Sequence, residues 1–232
     1  MKSSRSPRAR LPPRPPGWTS RLRPKRPTSS SKAPVSVAIT GGIGAGKSEA
    51  LKAFARHGAA VVSSDEIVHH LIRTDPEVKA AMLARLGAGI LDEDGEIDRA
   101  KVGQVVFGDR DALAWLEGLL HPRVSAEYLN WREQLAKLPG APAVCVTEVP
   151  LLYEVGAQDR FDTVVAITAP RLLREQRTNV PMEGRDERLI DDREKVKRAD
   201  FTYVNTGGLA ELDAWVAGVM EELQASRESA PR

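Results

Sequence analysis

The sequence predicts an α/β domain in which a five-stranded parallel sheet lies between helical layers, and three observations predict it. Short apolar β-branched runs recur along the chain: VSVAIT (35–40), AAVV (59–62), AVCVTEV (143–149), TVVAIT (163–168) and FTYV (201–204). Longer stretches with apolar residues at helical spacing separate them. A glycine-rich turn follows the first run directly. Uniformly apolar strands alternating with helices are what a sheet covered on both faces requires.

The first 34 residues stand apart from this texture. They carry ten of the 34 Lys and Arg, eight of the 16 prolines and no acidic residue. Such a segment has too little apolar surface to offset the entropy of ordering it, so 1–34 is read as a disordered, dispensable extension. An RNA or acidic-surface tether, or an organellar presequence, is the alternative for so basic an end. The overall net charge of +2 therefore divides into +10 for the extension and −8 for the rest. A nucleic-acid partner is not expected, except through that tail.

The 35–226 portion, with 41% apolar residues over the whole chain, is long enough for one substantial core. The single cysteine, Cys145, excludes a disulfide framework and an all-cysteine zinc site, and fits a reducing, cytoplasmic setting. No stretch approaches the ~18 uninterrupted apolar residues of a membrane span. A monomer or weak oligomer is expected. Between the second and third runs lie helical patterns at 65–73, 76–87, 98–107 and 110–137. A simple crossover needs far fewer residues, so 65–140 is expected to form a helical substrate lobe beside a core made of 35–64 and 141–226. Trp115, Trp131 and Trp215 sit in helical patterns and read as packing residues, and the closing residues 227–232 read as disordered.

Gly41-Gly42-Ile43-Gly44-Ala45-Gly46-Lys47-Ser48 satisfies G-x-x-x-x-G-K-[ST] between a strand and an amphipathic helix, the context that this motif demands. Glycines at 41, 44 and 46 let successive N–H groups turn inward onto phosphate oxygens, with the positive end of the following helix behind them. Lys47 would reach the β- and γ-phosphates and Ser48 would offer its hydroxyl to Mg²⁺, with ATP the expected nucleotide. The fold is thus of the three-layer P-loop NTPase kind. No N-K-x-D guanine-reading motif occurs, which argues against a GTPase switch.

Strand two runs into Ser63-Ser64-Asp65, and in a doubly wound sheet neighbouring strand ends open on one crevice. Asp65 either takes the proton of an attacking hydroxyl or caps the helix that follows; spacing alone leaves both open. Glu148 at the end of strand three either holds Mg²⁺ through water, orients an acceptor, or is structural. Glu154 reads as a solvated helix residue.

Residues 35–225 resemble the dephospho-CoA kinases, enzymes that phosphorylate the ribose 3′-hydroxyl of dephospho-CoA with ATP. The matching pieces are Thr40 through Ser48, the strand ending at Asp65, Leu119-Leu120-His121-Pro122-Arg123-Val124, Val149-Pro150-Leu151-Leu152-Tyr153-Glu154, and Ala199-Asp200 followed by Val204-Asn205. The resemblance implies that Asp65 is the base, that Gly42, Ile43, Gly44, Ala45, Gly46, Lys47, Ser48 and Asn205 contact the nucleotide, and that Thr40, His121, Arg123, Glu148 and Leu151 join Asp65 in contacting the acceptor. It also implies a short lid at about 174–190 whose arginines neutralise the transferring phosphoryl group, Arg177 foremost. The family's usual D-A-D reads Ser63-Ser64-Asp65 here, its Asp before P-L-L is Glu148, and a glutamine common after the lid is Asp192. Another P-loop small-molecule or nucleoside monophosphate kinase is the alternative, and a nucleic-acid-associated ATPase a more distant one.

Overall fold

The structure is a computed structural model, and residues 19–20, 33–178 and 189–228 are described below. In chain order they form β1 (Thr19–Ser20), β2 (Val35–Thr40), α1 (Lys47–Arg56), β3 (Ala60–Ser63), α2 (Ser64–Thr74), α3 (Pro76–Leu86), α4 (Arg99–Phe107), α5 (Arg110–Lys137), β4 (Val144–Glu148), β5 (Thr163–Thr168), α6 (Arg171–Arg177), α7 (Asp192–Arg198), β6 (Phe201–Val204) and α8 (Leu209–Glu228). The four helices expected between 65 and 137 end within one residue of their expected bounds. Acidic caps explain the starts: Asp75, Asp98 and Asp109 each accept two backbone N–H bonds in the first turns of α3, α4 and α5. Pro122 sits inside α5 without ending it.

The sheet order is β1-β6-β5-β2-β4-β3, with β6, β5, β2, β4 and β3 parallel. The five parallel strands are those expected. One strand lies within the segment read as disordered: β1 pairs antiparallel with β6, Thr19 opposite Thr202. Its backbone meets the open edge of β6, which any extended segment can satisfy whatever its side chains. At the other end α8 runs to Glu228, two residues past the expected boundary.

β2 is buried along its whole length, as a strand covered on both faces must be. Val35, Val37 and Ile39 join Leu51 and Phe54 of α1 and Trp215, Val219 and Leu223 of α8 in one core cluster. Trp215 is 1% exposed and its ring centroid lies 5.1 Å from that of Tyr203. Ala38, Val164 and Ala166 join Ile67 and Leu71 of α2 and Val124 and Tyr128 of α5 in a second cluster. A third gathers Val78, Met82, Val102, Val106, Leu116 and Leu120, with Trp115 partly buried against it. The division is thus finer than a single 65–140 lobe. α2 and the second half of α5 cover the sheet, while α3, α4 and the first half of α5 have a core of their own.

Crossovers from β2 run to one side for β3 and β4 and to the other for β5 and β6. The crevice of such a sheet opens beside the central strand at its carboxyl end, where the glycine loop follows. No helix among the described residues is long and apolar enough to cross a membrane.

Candidate active site

The loop that leaves β2 adopts left-handed backbone at Gly41 (φ 146°), Gly44 (φ 71°) and Gly46 (φ 98°). Each glycine is also required sterically. A side chain at Gly41 would strike the Ile167 carbonyl of β5, one at Gly44 the backbone of Arg174, and one at Gly46 the Asn205 amide. α1 starts at Lys47 on the residue after Gly46, so its unbonded N–H groups face the loop.

Lys47 Nζ donates to the Gly42 carbonyl at 2.9 Å, curling back over the loop. Burial holds its ammonium below the ordinary lysine range, the Lys195 charge adds to this, and Glu148, Asp65 and Asp192 oppose it. Ser48 Oγ lies 3.4 Å from both oxygens of Glu148. Glu148 is level with Ile39 of β2 on one side and Ser63 of β3 on the other, so register alone brings it between the loop and Asp65. Burial pushes its carboxyl up, the Asp65 and Glu66 charges push the same way, and Lys47 and Ser48 pull it back.

The two readings of Asp65 separate in the structure, because Ser63 is the cap of α2. Its hydroxyl accepts from Asp65 N at 3.2 Å, and Glu66 accepts from Ser63 N at 3.3 Å, a reciprocal capping box. Asp65 stands exposed in the first turn, free of capping duty, with its charge acting on Lys47 and Glu148.

Asn205 closes the other side. It is 7% exposed, its Nδ2 donates to the Ala45 carbonyl at 2.9 Å, and its own carbonyl accepts from Arg177 Nη1 at 3.2 Å. Arg177, the arginine expected foremost at the phosphoryl group, is thus turned toward Asn205. Arg174, one turn earlier on α6, is the one that lies against the phosphate loop at Gly42, and it pairs with Asp192 at 3.6 Å. Two arginines three residues apart on a basic helix differ only in where the helix docks, which the sequence alone does not fix. Of the expected lid at 174–190, residues 179–188 lie outside the described residues.

The expected acceptor contacts divide. Thr40 is fully buried, and its hydroxyl donates to the Pro150 carbonyl at 3.2 Å, tying the loop to the turn after β4. Leu151 lies half-buried in that turn, where its carbonyl accepts from Val155 N. Arg123 donates to the Leu119 carbonyl and pairs with Asp75 at 3.8 Å and Glu77 at 3.5 Å. Asp75 caps the far end of α2, ten residues after Asp65, so this pair sits about 15 Å along the helix axis from Asp65. His121 is half-buried, and burial lowers its imidazole below the usual range while Glu117 opposes.

Glu154 corrects the sequence reading. It is not solvated: its Oε1 lies 2.8 Å from Lys195 Nζ and accepts from Ile190 N at 3.0 Å, with the Lys195 side chain 1% exposed. Lys195 was also missed, although it shares a face of α7 with buried Ala199 at i, i+4.

Among the described residues no three His, Cys, Asp or Glu side chains form a metal cage. Ser48 and Glu148 nonetheless offer the hard oxygen donors that suit Mg²⁺, an ion that keeps most of its shell as water and phosphate oxygen.

The family description "CoaE: Dephospho-CoA kinase" matches residues 35–211. A dephospho-CoA kinase of Thermobifida fusca is 34% identical over 195 residues, covering 81% of this chain and 96% of that protein. One of Mesorhizobium japonicum is 36% identical over 202 residues, covering 82% and 98%. Among solved structures, TT1252 from Thermus thermophilus superposes with a TM-score of 0.67 at 28% identity over 83% of this chain and 99% of that one. Dephospho-CoA kinase from Campylobacter jejuni gives 0.62 at 29%, over 82% and 97%. Agreement in sequence over four-fifths of its length, and in fold over the same span, makes the chain a member of the dephospho-CoA kinase family.

Proposed function

We propose that the protein transfers the γ-phosphoryl group of ATP to the ribose 3′-hydroxyl of dephospho-CoA, giving coenzyme A and ADP, with Asp65 as the base. The observation that supports Asp65 as the base is the capping box: Ser63 and Glu66 take over the helix start, and the exposed Asp65 is left with its charge acting on Lys47 and Glu148.

In this reading the loop amides from Gly42 to Ser48 hold the β- and γ-phosphates and Lys47 leaves the Gly42 carbonyl for them. The acceptor oxygen attacks the γ-phosphorus, the bond to the β-γ bridging oxygen breaks, and the hydroxyl proton passes to the Asp65 carboxylate. Phosphoryl transfer asks mainly for positioning and positive charge, which Lys47 and the α6 arginines supply. Mg²⁺, held by Ser48 and through water by Glu148, would spread the phosphate charge. Asn205, locked to the loop through Ala45, flanks the nucleotide base.

Asp65→Asn keeps the capping geometry and removes the proton acceptor. Turnover measured as coupled ADP production with dephospho-CoA should fall by about 10²- to 10⁴-fold, with ATP binding nearly unchanged. Wild-type turnover in that variant would remove Asp65 from the mechanism. Equal ADP production with AMP or shikimate as acceptor would remove dephospho-CoA as the preferred substrate.

A further inference from the structure

Asp192 is a carboxylate that the reaction as described does not use, yet it stands at the phosphate loop. Thr168, the last residue of β5, donates its hydroxyl to Asp192 Oδ2 at 3.0 Å. Arg174 Nη1 lies 3.6 Å from the same oxygen, with side chains 12% and 22% exposed. A side chain at Gly42 would run into the Arg174 guanidinium and both Asp192 carboxylate oxygens, so the pair rests on the loop backbone. The Asp192 charge also acts on Lys47. The cap of α7 is its neighbour Asp191, which accepts from Arg193 N at 2.7 Å, so Asp192 is not needed to start the helix.

An anion beside Lys47 and Arg174 occupies the electrostatic place that a nucleotide phosphate would take. We propose that Asp192 is a positioning residue for phosphoryl transfer: it holds Arg174 against the phosphate loop, and Arg174 exchanges this carboxylate for the γ-phosphate when ATP binds. The proposal rests on the kinase reading above. Arg174 is then the group that meets charge developing on the transferred phosphoryl, while Asp192 sets where its guanidinium waits. Two opposing effects of Asp192 follow. Its charge repels the incoming triphosphate and weakens nucleotide binding, and its grip on Arg174 raises the rate of the step that follows.

The test compares wild type, Asp192→Asn, Arg174→Ala and the double variant. Each is read for affinity toward a fluorescent ATP analogue without acceptor, for kcat with dephospho-CoA, and for thermal melting. Arg174→Ala should lower kcat by on the order of 10²- to 10³-fold, the usual loss for one transition-state donor. Asp192→Asn should bind the analogue more tightly than wild type while lowering kcat by roughly 10- to 100-fold, the range that supporting partners carry. In the Arg174→Ala background the second substitution should cost kcat almost nothing further. Thr168→Val, which loosens the same carboxylate from β5, should move kcat in the same direction by less, and it stands in if Asp192→Asn melts early.

Unchanged kcat in Asp192→Asn overturns the proposal, as does affinity falling together with kcat and melting temperature. A full loss from Asp192→Asn in the Arg174→Ala background overturns it too. Were dephospho-CoA the wrong acceptor, wild type would give no turnover with it; affinity rising in Asp192→Asn would still support the charge opposition, and unchanged affinity would refute it.

Discussion

Glu148 is the residue at which strand register becomes electrostatics. Its carboxyl is held above the ordinary range by burial first, so folding favours its protonated form. A raised carboxyl contributes stability that is present below its unfolded pKa and lost as pH rises through the folded one. Wherever the unfolded chain ionises more readily than the buried group, Glu148 therefore costs the wild type stability. Glu148→Gln should melt higher than wild type near neutrality, and the difference should shrink as pH falls through the raised pKa into the ordinary carboxylate range. The same variant should lose activity, and the acid limb of wild-type kcat/KM should lie above the pH of an unperturbed carboxylate. Melting curves and rates across pH check both; a gap that widens in acid would contradict the sign. Lys47 and Ser48 can be set at the glycine loop from the sequence because a motif fixes their local geometry, whereas Asp65 at its strand end stays open between base and cap until Ser63 and Glu66 are seen to form the capping box. Glu148 stayed open because its meaning depends on the strands beside it, and which α6 arginine lies against Gly42 is decided by docking, which the sequence does not encode locally.

At the scale of elements, α7 is the part least legible beforehand. It has seven residues, two of them acidic in its first turn and three basic in its last, with no apolar stripe to announce a buried face. Tertiary packing buries Lys195 against Glu154, whose second task is to receive Ile190 N. The ring of neighbouring Tyr153 lies 4.2 Å beneath the Arg198 guanidinium, so two successive residues of the turn after β4 grip two turns of the helix. Lys195→Met should cost about 3–5 kcal/mol in denaturant unfolding, because it leaves a buried carboxylate without its cation. Adding Glu154→Leu should recover much of that loss. A single variant as stable as wild type would mean that water reaches the pair. The strands and the helices between 64 and 137 were legible because their apolar periodicity and acidic caps are local signals.

Over the whole molecule, each parallel strand delivers something to one edge: β2 the phosphate loop, β3 Asp65, β4 Glu148, β5 the Thr168–Asp192 contact and β6 Asn205. Of the basic extension, the described Thr19 and Ser20 pair with the outer edge of β6. Deleting residues 1–32 removes ten positive charges and shifts the net from +2 to −8. Turnover with dephospho-CoA should survive that deletion, while any salt-sensitive retention on RNA should vanish with it. Loss of turnover would give the extension a part in catalysis.

The level alignment of Ile39, Glu148 and Ser63 turns the ladder into a ruler for the site. A residue added to or removed from a loop between strands need not move these marks. Inserting or deleting one residue inside the five of β4 is another matter, since every side chain beyond it would swap faces of the sheet. Glu148 would then point into a helical layer, and the protein would lose its acid at the crevice through a change in counting, with every functional residue type still encoded.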